Sequence, residues 1–123
     1  MKLWIASFVS GKREKKRYQG KDLIMEYLRA LYTDSNCPIT SNRIIAFQPG
    51  TIDDDYFSAC EELGLRDFSH KHMQGKNIHL SLIAKKENLT NEKSTICLVD
   101  DDVNNLAYAK AANFTAINIV DLR

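Results

Sequence analysis

The chain has 123 residues, 44% hydrophobic and 27% charged with a formal net charge of +1, which suits one domain with a single core and is too short for two. No run approaches the roughly 20 apolar residues of a membrane span, and residues 1–10 lack the basic start and cleavage site of a signal peptide. Three cysteines, Cys37, Cys60 and Cys97, are an odd number without metal-type spacing, so reduced thiols and a cytoplasmic location are expected.

In chain order, residues 3–7 read as a strand ending in Ser7. The basic run Lys12-Arg13-Glu14-Lys15-Lys16-Arg17 follows it, and residues 1–32 carry eight basic and three acidic side chains, a local net charge of +5. A solvated loop or a fraying helix start accounts for this run more simply than a site for anionic lipid, nucleic acid or a phosphorylated substrate. Without interleaved aromatics or a nucleic-acid-binding motif, DNA and RNA are poor candidates. Residues 22–32 place Leu23, Ile24, Tyr27, Leu28 and Leu31 on one helical face, with Glu26 and Arg29 outside it. A strand over 43–47 and a helix over 57–63, ended by Gly64, come next. His70 and His72 point apart on an extended segment and His79 sits on another, so the histidines predict no metal site. Residues 33–42 and 86–94 are polar connections, and neither has a linker's composition.

The most informative stretch is Ile96-Cys97-Leu98-Val99-Asp100-Asp101-Asp102-Val103-Asn104-Asn105, an apolar run that ends in three carboxylates. Its apolar part suits a strand buried on both faces, with Cys97 as a small core residue. Like charges at Asp100, Asp101 and Asp102 repel unless a metal, a base or water compensates them, and Mg²⁺ takes oxygen ligands with only one or two carboxylates. Val103 to Ala112 has helical composition, with Asp101 or Asp102 where an N-cap belongs and Asn113 at the left-handed C′ position. Residues 114–120 form a second β-prone run. The unit is therefore strand, helix, strand, with acids at the first turn, where open α/β sheets bind ligands.

The stretch from Leu98 to Ile119 resembles the fourth motif of the haloacid dehalogenase (HAD) superfamily, a strand ending in paired aspartates, a downstream Asn, and a helix leading to a further strand. On that resemblance Asp100 and Asp101 are the metal-binding pair, Asn105 is the downstream Asn, and Asn113 stands for the usual Gly. Gly75-Lys76-Asn77, ahead of a helix over 78–84, resembles the third motif, whose Lys holds a phosphate and offsets the acids; Lys76 matches it. Residues 3–7 resemble the second motif, whose hydroxyl binds a phosphate oxygen; Ser7 matches it, with Ser10 as a substitute. The implied fold is α/β, HAD-like and Rossmann-like: a mostly parallel sheet with helices on both faces, lacking the first-motif strand.

The catalytic members open on a strand carrying Asp-x-Asp-x-Thr, whose first Asp attacks phosphorus and whose second is general acid and base. No such sequence occurs in these residues, and Asp53-Asp54-Asp55 follows Pro49-Gly50-Thr51 rather than ending a strand. The acidic cluster also resembles that of receiver domains, but there it ends the first strand, whereas only 21 residues follow Asp102. Two functions are therefore expected in competition. One is a HAD-like domain without catalytic activity, a pseudoenzyme that keeps a Mg²⁺ and phosphate pocket and binds a partner, a second copy or another protein. The other is part of a Mg²⁺-dependent phosphatase whose nucleophile lies outside this chain.

Overall fold

Short apolar runs form the four-residue strands, and apolar residues at helical spacing form four α-helices among the residues described. The computed structural model describes residues 2–8, 12–13, 16–17, 20–32, 37–47, 54–65 and 74–122. Ser10, Asp53, His70 and His72 lie outside them. The chain divides into two compact units, Met1–Ser58 and Ala59–Arg123.

In the first unit β1 (Ile5–Phe8) is followed by a short antiparallel pair, β2 (Lys12–Arg13) and β3 (Lys16–Arg17), and then by helix α1 (Gly20–Leu31). The next strand, β4 (Ile44–Phe47), pairs in parallel with β1, bringing Ile5 opposite Ile44 and Ser7 opposite Ala46. Ile44, Ile45 and Phe47 are buried, and Phe47 meets Tyr56 edge to face with ring centroids 5.1 Å apart. The α1 face expected from the sequence is only partly covered. Ile24 and Leu28 are half-buried, while Tyr27 and Leu31 are exposed.

Helix α2 (Asp54–Glu62) leads to the second unit, built from α3 (Asn77–Lys86), β5 (Cys97–Asp100), α4 (Val103–Ala111) and β6 (Thr115–Asn118). β5 and β6 pair in parallel, Cys97 opposite Thr115 and Val99 opposite Ile117, as the strand, helix, strand reading requires. α3 is buried on nearly every side: Asn77, Ile78, His79, Leu80, Leu82, Ile83 and Ala84 are all inaccessible. Its polar positions are narrow, Ser81 half-exposed and Lys85 and Lys86 exposed at the last turn, so most of the helix belongs to the interior. Cys60 is fully buried, and burial pushes its thiol pKa up, which makes it an inert core residue.

β5 departs from the expectation of burial on both faces. Leu98 and Asp100 are buried, but Cys97 is exposed and Val99 is 45% exposed, so Cys97 is not a core residue. The period of two sends alternate side chains to opposite faces, and the α4 residues Leu106 and Ala109 are buried with the inward set. Among the described residues no helix is long and apolar enough to cross a membrane.

Candidate functional site

The second unit brings the loop before α3 to the carboxyl end of β5. Gly75 has φ +57, and an added Cβ would stand 2.9 Å from Tyr108 Cδ2 and 3.0 Å from Asn105 Oδ1. Both the left-handed backbone and the close approach to α4 require glycine here. Asn77, buried, fixes the same loop from the other side: its Nδ2 donates to the Tyr108 carbonyl at 3.0 Å, and its N–H to the Gln74 carbonyl at 3.1 Å. Lys76, between the two, is the N-cap residue of α3, and its carbonyl accepts the Leu80 N–H at 3.0 Å.

Held in this way, Lys76 Nζ lies 2.7 Å from Asp100 Oδ2, with side-chain exposures of only 18% and 6%. The same carboxylate oxygen accepts Asn105 Nδ2 at 3.3 Å, and Oδ1 accepts the Asp102 N–H at 3.0 Å. Burial works against the charged form of Asp100. The Lys76 ammonium, the Asp102 N–H and the Asn105 amide outweigh it and hold the carboxyl pKa at about 2. Asp100 is therefore ionised at any physiological pH.

The three consecutive acids take three different positions. Strand alternation turns Asp100 inward to Lys76, Asp101 is exposed, and Asp102 caps α4, its Oδ1 accepting Asn104 N at 2.8 Å and Asn105 N at 3.4 Å. Of the two N-cap candidates, the structure selects Asp102. Of the four site residues read from the sequence, Lys76 and Asp100 are in direct contact, Asp101 adjoins them along the chain, and Ser7 lies half-buried in β1 of the first unit. Asn105 joins the cluster as expected. Gly75 and Asn77 were not anticipated as site residues; the only sequence signal was a glycine and an amide flanking the lysine. His79 is fully buried in α3, and among the described residues no group of three or more His, Cys, Asp or Glu side chains converges as a ready-made metal cage.

No family model matches this chain, and neither a curated protein nor a solved structure does. The protein is mixed α/β, with a buried aspartate paired to a half-buried lysine at a strand end.

Proposed function

We propose that the second unit carries a HAD-like site for a divalent cation and a phosphate group, and that this chain binds a phosphorylated ligand or a partner without hydrolysing a phosphoester. The observation that carries this reading is the 2.7 Å contact between Lys76 and Asp100. These are the residues that the resemblance names for its third and fourth motifs, 24 positions apart in the sequence, and a strand-end acid beside a helix-start lysine is the arrangement that phosphate chemistry needs.

The donor set suits a hard cation that keeps most of its water. Asp100 offers a carboxylate that is ionised at physiological pH, Asp101 is the neighbouring acid, and the remaining positions would be filled by water and ligand oxygens. Bound there, Mg²⁺ would supply charge neutralisation for the phosphate. Lys76 would hold a phosphate oxygen through its remaining donors. Hydrolysis needs a nucleophile, and no aspartate stands in β1, Ile5-Ala6-Ser7-Phe8, the strand that the resemblance matches to the second motif.

Two measurements test the proposal. The chain should release no p-nitrophenol from p-nitrophenyl phosphate above the buffer rate in Mg²⁺; turnover that disappears in Asp100→Asn would overturn the binding reading in favour of a phosphatase whose nucleophile lies outside these residues. Mg²⁺ together with inorganic phosphate should also raise the melting temperature by mass action, and the Asp100→Asn, Asp101→Asn double variant should lose the part of that rise that depends on Mg²⁺. Equal Mg²⁺ responses in the two proteins would refute the cation site.

A further inference from the structure

Resting on that reading, we infer that the cation and the phosphate bind this site cooperatively, because Lys76 and Asp100 neutralise each other until both ligands are present. The pair is short and sheltered: Nζ and Oδ2 are 2.7 Å apart, with 18% and 6% side-chain exposure. Asp100 has few remaining acceptor sites, since Asn105 Nδ2 and Asp102 N also donate to it. A carboxylate offers about four acceptor positions, and three are in use.

A phosphate arriving alone meets an ammonium whose charge is already balanced and a carboxylate that repels it at close range. A cation arriving alone meets a carboxylate whose charge is already balanced by an ammonium and whose oxygens also accept from two N–H donors. Pulling either ion out of the pair would leave its partner charged, sheltered and uncompensated, an arrangement that proteins avoid. When both ligands arrive, one ion pair is replaced by Asp100 with the cation, Lys76 with the phosphate, and cation with phosphate. The sign is the same even if Lys76 keeps one N–H on Asp100 while another reaches the phosphate, because the cation still removes the repulsion. Linkage makes the effect reciprocal: the factor by which the cation tightens phosphate binding is the factor by which phosphate tightens cation binding.

The test uses the full chain with Mg²⁺ and inorganic phosphate as probes, each titrated calorimetrically alone and in the presence of the other, with free concentrations corrected for their association in solution. Phosphate should bind at least about 10-fold more tightly in saturating Mg²⁺, and Mg²⁺ should gain by the same factor in saturating phosphate. In Asp100→Asn, phosphate should bind without help from Mg²⁺; in Lys76→Met, Mg²⁺ should bind without help from phosphate. Equal phosphate affinity with and without Mg²⁺ in the wild-type chain would overturn the coupling and leave the site reading standing. Failure of wild type and both variants to bind either ion in any combination would overturn the site itself. The decisive comparison is made on wild-type protein, so it does not depend on either variant folding.

Discussion

Asp100 makes its environment measurable through pH. Its folded-state pKa of about 2 lies below the unfolded carboxylate value of about 3.9, so its contribution to stability is fully present above the unfolded value and is lost as pH falls toward the folded one. The group is 8% exposed, and the shift corresponds to about 2 kcal/mol. Urea midpoints measured from pH 6 down to about pH 2 should fall, and the fall should be smaller by that amount in Asp100→Asn; identical pH profiles would show that Lys76 does not stabilise the carboxylate. Gly75 offers a second test at this scale. Gly75→Ala must place a Cβ 2.9 Å from Tyr108 and keep φ near +57, and should destabilise the chain by roughly 2–4 kcal/mol in urea unfolding. An unchanged midpoint would show that the loop relaxes away from α4. Lys76 and Asp100 were legible in the sequence because each stands at an element boundary with a distinctive neighbour. Asn77 was not: its partner is a backbone carbonyl 31 residues away, and no side-chain pattern announces an acceptor that every residue possesses.

At the scale of elements, α2, α3 and α4 end in the same way. The left-handed residues Gly64, Asn88 and Asn113 are each followed by an apolar residue, Leu65, Leu89 or Phe114, whose N–H reaches five residues back, to Cys60, Ala84 and Ala109 at 2.9, 2.7 and 3.0 Å. This is the Schellman closure, and it satisfies carbonyls that the helix leaves open. Asn113→Ala should therefore lower stability by about 1 kcal/mol, whereas Asn113→Gly should not, as read from paired denaturation curves; equal losses would mean that the Asn side chain, and not its backbone freedom, matters. The stops at Gly64 and Asn113 were readable because Gly and Asn are local signals, whereas Asn88, inside a polar stretch, was not. Nor was the outward face of β5. Cys97 and Val99 are as apolar as residues of a strand covered on both sides, and composition carries no record of which layers are present to cover them.

At the scale of the whole molecule, the two parallel pairs, β1 with β4 and β5 with β6, each contain two strands among the described residues, and short parallel sheets depend on burial for their stability. Val99 and Ile117, register partners, are 45% and 36% exposed, and Ile119, Val120 and Leu122 at the end of the chain are also exposed. Apolar surface of this kind favours association, with a second copy or with another protein, in line with the proposed mode of action. Sedimentation velocity across the micromolar range should show a species larger than the monomer, and Val99→Glu should return it toward monomer. A concentration-independent monomer in both proteins would remove homodimerisation from the reading.

β5 presents opposite properties on its two sides, one residue apart. Val99 points outward and Asp100 points inward to Lys76, so a protein resting on the outer side would stand a single peptide unit from the carboxylate without obstructing it. Under the proposed function, anchorage and ligand capture would proceed on two sides of one wall, and a mutation that blocks attachment need not disturb the Lys76–Asp100 pair.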